Sequence, residues 1–241
     1  MKNILLTGCS RGLGLQIART LLESGYAVYG VNRTITEDLT DLQGEFPDKL
    51  RLLRFDLEDS ENVKEKIFNG WLSNKTPIHG FVNNAALAYD DIITNLNQQK
   101  LDQMYRVNVF SPLQIVKYVL RNMIFNRTRC SVIHISSISV HTGYKGLSMY
   151  ASTKGALEAF SKNSAREWGE KGLRSNCVVA GFMETDMSSS LNSDLKSKIF
   201  NRTSLKIPTS KESVASTVKF LLSDESKSIT GQNIFVDSGT I

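Results

Sequence analysis

Asn3-Ile4-Leu5-Leu6-Thr7-Gly8-Cys9-Ser10-Arg11-Gly12-Leu13-Gly14 decides the fold. A short apolar run, Ile4–Thr7, leads directly into a turn carrying Gly8, Gly12 and Gly14. Apolar residues then recur at helical spacing (Leu13, Ile17, Ala18, Leu21, Leu22) until Gly25 stops them. Strand, glycine turn and amphipathic helix in that order form the opening of a dinucleotide-binding βαβ unit. Glycine there permits a tight turn, close approach of backbone to phosphate, and close helix packing. The helix N-terminus adds free N–H groups and a partial positive charge for a pyrophosphate. Gly8, Ser10, Arg11, Gly12, Leu13 and Gly14 are therefore candidate cofactor-binding residues.

The same alternation continues along the chain. Strands are expected at Ala27–Val31, Leu50–Phe55, Ile78–Val82, Ser131–Ser136, Ser175–Val179 and Asn233–Val236. Helices are expected from a cap at Asp59-Ser60 to Ser73, over Gln98–Asn126, Met149–Gly169 and Lys211–Ser223. Pro112 should kink the long helix or split it in two. Strands alternating with helices imply an α/β fold: a Rossmann-type, doubly wound parallel sheet with helices on both faces. No linker or repeat interrupts the pattern, so residues 1–241 read as a single domain. The irregular stretch 182–208, rich in Ser, Asn and Lys, is the candidate substrate lid.

Composition sets bounds. The 241 residues are 41% hydrophobic and 22% charged, an ordinary globular balance. The net charge is +5, but Lys and Arg are scattered, so nucleic acid is not an expected partner. No apolar run is long enough to span a membrane, and the start is too short for a signal peptide. Cys9, Cys130 and Cys177 are odd in number and far apart, which fits a reduced, cytoplasmic protein without a metal site.

The end of the second strand selects the dinucleotide. An acidic residue there would bond the ribose hydroxyls of NAD; this chain has Asn32-Arg33, with Arg11 in the glycine loop. Two guanidinium groups can bracket a 2′-phosphate, which favours NADP(H); either arginine could instead lie on the surface. Asp56-Leu57 ends the third strand, where Asp56 can bond an adenine amino group or cap the next helix. Asn83-Asn84-Ala85-Ala86 ends the fourth, where small residues let backbone approach a cofactor; a plain turn is the alternative. Gly181, Met183 and Thr185 follow the sixth strand, and the Thr185 hydroxyl can bond a nicotinamide carboxamide.

Tyr150 and Lys154 lie four apart on an expected helix and share a face. An ammonium beside a phenol favours the phenolate and lowers its pKa. Such a tyrosine can act as general acid in carbonyl reduction and general base in alcohol oxidation. Ser137 can hold the carbonyl oxygen, Lys154 can also bond a nicotinamide ribose, and Asn108 could bind a water leading from Lys154 to solvent. His134 alternates within a strand as buried structure, His79 reads as a loop residue, and His141 is a candidate for the substrate mouth.

With Thr7-Gly8-x-x-x-Gly12-x-Gly14, Asn83-Asn84-Ala85, Asn108, Ser137, Tyr150 and Lys154 all present, the chain resembles the short-chain dehydrogenase/reductase family over its whole length. The resemblance implies that Asn108, Ser137, Tyr150 and Lys154 form a catalytic tetrad, with a nicotinamide as hydride donor. Segments 150–157, 181–187 and 229–239 make it most similar to the 3-oxoacyl-(acyl-carrier-protein) reductases of fatty acid biosynthesis. That implies NADPH-dependent reduction of a small-molecule or carrier-protein-bound carbonyl, and a homo-oligomer, tetramer or dimer, joined through the long central helices. An acidic carrier would need basic residues at the site mouth; Arg127, Arg129 and Lys171 are candidates, or simply solvated charge. Ala180, Ala86 and Ser238 depart from the family's usual proline and glycines without removing a catalytic group. A sugar or secondary-metabolite carbonyl is the alternative substrate. A dinucleotide-binding regulator without turnover is the alternative of a different class.

Overall fold

The computed structural model describes residues 1–73, 75–184 and 193–241, the last stretch without the side chains of 193–196. Its centre is one seven-stranded sheet: β1 (Asn3–Thr7), β2 (Ala27–Asn32), β3 (Leu50–Arg54), β4 (Gly80–Asn83), β5 (Cys130–Ser137), β6 (Leu173–Ala180) and β7 (Asn233–Val236). The order is β3-β2-β1-β4-β5-β6-β7, and every neighbouring pair is parallel. This is the expected doubly wound Rossmann architecture.

Central strands in such a sheet are covered on both faces and should be apolar throughout. Alternation decides which core each residue joins. Ile4 and Leu6 of β1 face one cluster and Leu5 the other. The first cluster is closed by α1 (Gly12–Glu23), α2 (Glu37–Glu45) and α8 (Lys211–Leu222), through Ile17, Leu21, Leu39, Val214 and Val218. The second is closed by α4 (Ser111–Asn126), through Ile115, Val119 and Met123, with Phe160 of α6 (Ser148–Trp168) packed against it. Burying each such side chain contributes about 2 kcal/mol. The remaining helices are α3 (Gln98–Tyr105), α5 (Ser139–Thr142) and α7 (Ser193–Phe200). Among the described residues no helix is long and apolar enough to cross a membrane.

Two helical expectations change in kind. The stretch from Asp59 to Ser73 is not one α-helix: a 3₁₀ turn at Ser60–Asn62 is followed by a π-helix at Lys64–Asn69. Val63, Ile67 and Phe68 still reach the core, because the wider turn keeps them on one side. The long helix is neither broken nor sharply divided at Pro112. α3 runs through a π-turn, Arg106–Phe110, directly into α4, with Pro112 in the first turn of α4. Pro112 has no N–H to give the carbonyl of Asn108 four residues earlier, and the wide turn absorbs that misfit.

Candidate active site

Strand order reverses between β1 and β4, and in an open α/β sheet a crevice forms there outside the carboxyl ends of the strands. The glycine turn lies at that point. Gly14 has no room for a side chain: a Cβ there would run into the carbonyl oxygen of Gly8 and come 2.5 Å from Nδ2 of Asn84. Gly8 has φ +70°, and a Cβ would meet the backbone of Ala85 at 2.8 Å. Asn84 fixes the turn by donating from Nδ2 to the carbonyls of Thr7 and Gly8, at 3.1 and 2.8 Å. The Thr7 hydroxyl accepts from the amides of Asn84 and Ala85, each at 3.2 Å. The Arg11 side chain does not cap α1, and the first-turn N–H groups of a helix have no acceptor within the helix. This is a cradle shaped for a pyrophosphate.

At the adenosine end the residues divide. Asn32 is buried and turned inward: its Oδ1 accepts from the Cys9 amide at 2.7 Å, and its Nδ2 donates to Cys9 Sγ at 3.3 Å. It therefore shapes the glycine turn and is not placed as a direct ribose contact. Burial pushes the Cys9 thiol up to about 11. Thr36 donates its hydroxyl to the Ser10 carbonyl at 2.6 Å and ties the turn to the start of α2. Arg33 is exposed, and its carbonyl accepts from Nε of Arg54 at 3.3 Å. Arg54 ends β3 in register with Asn32, so Arg11, Arg33 and Arg54 all border this end. Sequence reading missed Arg54 because strand register, not spacing, brings it there. Asp56 accepts the Glu58 amide on Oδ1 at 3.0 Å, a local turn of the capping kind, and Leu57 beside it is buried.

The four proton-handling candidates converge at the carboxyl ends of β4 and β5. Ser137 ends β5, half-buried, and accepts the Ser139 amide at 3.2 Å. Tyr150 lies in the first turn of α6 and Lys154 one turn further on. Lys154 is 2% exposed; its Nζ donates to the Ile135 carbonyl at 2.8 Å and sits 5.6 Å from the Tyr150 ring centroid. Burial lowers its pKa to about 8, so the ammonium persists at neutral pH with little margin. Tyr150 departs from expectation. Burial, with the Asp90 carboxylate adding to it, raises the phenol pKa above its ordinary value.

Asn108 is fully buried in the π-turn, and its side chain is committed. Oδ1 accepts the Leu87 amide at 2.8 Å, while Nδ2 donates to the Leu87 carbonyl at 2.8 Å and to Oγ1 of Thr153 at 3.0 Å. Pro112, four residues on, has no N–H to give the main-chain carbonyl of Asn108, which is therefore the candidate to hold a water. Glu158, one turn beyond Lys154, was not singled out by sequence. It accepts from the Ser136 hydroxyl at 2.5 Å and from Asn233 Nδ2 at 2.7 Å, and pairs with His141 at 3.1 Å. It ties α6 to β5 beside Ser137, to α5 and to β7. His141 packs at 5.0 Å on the Phe235 ring of β7. His134 is buried structure, as expected, and burial beside Lys154 takes it down to about 3.

Gly181 is buried after β6, donating its N–H to the Val236 carbonyl at 2.9 Å, and Met183 packs against the first core. Thr185 lies outside the described residues, with the rest of the expected lid's 185–192 segment. Arg127, Arg129 and Lys171 do not flank this crevice within the chain. They precede β5 and β6, whereas Ser137 ends β5, roughly 25 Å away along the strand.

Known proteins match this arrangement along its length. The family model described as enoyl-(acyl carrier protein) reductase matches residues 8–240. A 3-oxoacyl-(acyl-carrier-protein) reductase of Chlamydia pneumoniae is 32% identical over 244 residues, covering 99% of this chain and 96% of that protein. Carbonyl reductase (NADPH) 2 of Sus scrofa is 34% identical over 237 residues, covering 98% and 94%. Among solved structures, a gluconate 5-dehydrogenase of Burkholderia cenocepacia in complex with NADP and tartrate superposes with a TM-score of 0.91 at 26% identity, covering 99% and 94%.

Proposed function

The chain belongs to the short-chain dehydrogenase/reductase family, a family of oxidoreductases, and on that premise we propose that it is an NADPH-dependent reductase of 3-oxoacyl thioesters. The observation that carries the reading is the meeting of Ser137, Tyr150 and Lys154 beside a glycine cradle at the reversal of strand order. The bound dinucleotide supplies the hydride. Gly8, Ser10, Arg11, Gly12, Leu13 and Gly14 hold its pyrophosphate. Arg11 and Arg33, joined by Arg54, take the 2′-phosphate. Asn32 shapes the turn from beneath; Asp56 and Leu57 flank the adenine. Asn84, Ala85, Gly181, Met183 and Thr185 border the nicotinamide.

The Ser137 hydroxyl bonds the substrate carbonyl oxygen. Tyr150 Oη gives that oxygen its proton, completing the alcohol once hydride has reached the carbon. Burial, with Asp90, raises the phenol pKa further above its ordinary value, so Tyr150 carries the proton that a reduction needs. Lys154 holds the ribose and returns a proton towards Tyr150, and Asn108 supplies a carbonyl for the water that refills it. Residues 182–208 close over the substrate.

The protein works in the cytoplasm, supported by three buried, free cysteines, and serves fatty acid biosynthesis on carrier-bound or simple thioesters. It assembles as a dimer or tetramer; the exposed Phe110, Ile124 and Phe125 on and beside α4 support this. A second reading has an observation of its own: the carbonyl reductase relative is at least as similar as the acyl reductase. Sugar or other ketone substrates follow from it. The test is NADPH oxidation with acetoacetyl thioester, with NADH in parallel. Turnover that prefers NADPH is expected. Tight NADPH binding with no thioester turnover, but turnover of sugars or ring ketones, would move the assignment to the second reading.

A further inference from the structure

We infer that Asp90 is a specificity-determining residue: it selects neutral carbonyl substrates and repels those with an anionic group next to the reducible carbonyl. The inference rests on the reductase reading and deepens it.

The loop from β4 to α3 is pinned on both sides of Asp90. Upstream, Leu87 is held through its amide and its carbonyl by the buried Asn108. Downstream, the Asp91 amide donates to the Gly146 carbonyl at 2.9 Å. Gly146 lies four residues before Tyr150, in the segment joining α5 to α6, so this bond spans the mouth of the crevice. The neighbours of Asp90 spend their polar groups within the loop. The Tyr89 hydroxyl donates to the Asn95 carbonyl and accepts the Asn97 amide, each at 3.0 Å. The Asp91 carboxylate accepts from the Ile92 amide and from Asn95 Nδ2, at 2.8 and 3.2 Å. Asp90 alone of the three has no hydrogen bond or ion pair among the described residues.

Its carboxylate is partly desolvated, which raises its own pKa, and its field acts on the Tyr150 phenol. The countercharge on the far side, Lys154, is sealed under the ring and tied to Ile135. A substrate whose carbonyl reaches Tyr150 therefore meets Asp90 with whatever it carries next to that carbonyl. A thioester, ester or amide there costs nothing. Asp90 is exposed at the crevice mouth, so a carboxylate or phosphate there meets like charge, worth about tenfold in affinity.

The test compares two ligands with the same ketone: ethyl acetoacetate, which is neutral, and acetoacetate, an anion. Binding to the NADPH-loaded protein is read by nicotinamide fluorescence for wild type, Asp90→Asn and Asp90→Lys. Taking each ratio against wild type cancels the size difference between the ligands. The expected result is a roughly tenfold loss of ester preference in Asp90→Asn and a further shift towards the anion in Asp90→Lys. One unchanged ratio across all three proteins would overturn the inference. Turnover is followed in the same samples. A charge-dependent ratio without turnover of any ketone would leave charge selection standing and sink the reductase assignment instead.

Discussion

The two halves of the crevice are built by different means. The dinucleotide half is made of backbone: glycines that no side chain can replace, an uncapped helix end, and carbonyls held by Asn84. Its parts lie within a dozen residues of one another, plus one strand end. The substrate half is made of side chains from four distant segments, held by a polar web running from Leu87 through Asn108 to Thr153, and from Ser136 through Glu158 to Asn233. The first is rigid by covalent geometry. The second is rigid only while each bond in the web survives, and so it is the half that can be retuned one residue at a time.

Substitutions in each half should therefore fail differently. The largest expected effect is on the substrate side. Tyr150→Phe should lower kcat by about a thousandfold, the scale of a lost general acid, while leaving NADPH affinity within twofold of wild type. Steady-state rates and a fluorescence titration read both. Gly14→Ala should do the reverse: about a hundredfold weaker NADPH binding, since backbone must move to admit the methyl group. Unaltered affinity would show the cradle to be more plastic than described. Losing both Arg33 and Arg54 to alanine should reduce the preference for NADPH over NADH by about thirtyfold, the loss of charge-assisted bonds to one phosphate.

Smaller effects sharpen the contrast. Glu158→Leu breaks the tie beside Ser137 and should cut kcat about tenfold with NADPH affinity unchanged; an equal fall in both would make Glu158 a general structural strut. Lys154→Met should raise stability at pH 7 while abolishing turnover. The lysine pKa is about 8 in the folded protein and 10.5 in the reference state. Below pH 8 the buried charge thus costs stability in full, and the cost fades as pH rises towards 10.5. Melting curves should show the variant ahead by about 5 °C at pH 7 and the gap closing by pH 10.

What was legible in the sequence follows the same division. Gly8, Gly14 and the strand–helix alternation announce themselves because the constraint is local. Tyr150 and Lys154 are legible because helical spacing puts them on one face. Arg54 and Glu158 were not, since each acquires its meaning from strand register or from a partner dozens of residues away. Arg127 and Arg129 misled for the related reason that nearness to β5 in sequence does not say which end of the strand they occupy. Asn32 looked like a cofactor contact until its neighbour Cys9 proved to need it. The π-turns at Lys64–Asn69 and Arg106–Phe110 leave no pattern in hydrophobic spacing short enough to recognise.

The wide turn at Arg106–Phe110 has one consequence for how such a chain can change over time. A π-turn is in effect one residue more than an α-helix needs, so it keeps the register of everything after it. Losing a single residue there would give a more regular helix, yet rotate α4 by about 100° relative to α3. Ile115, Val119 and Met123 would swing out of the core as Asn108 was drawn into ordinary helical bonding. Length in this segment is thus under tighter constraint than identity, and insertions or deletions should be rarer there than substitutions.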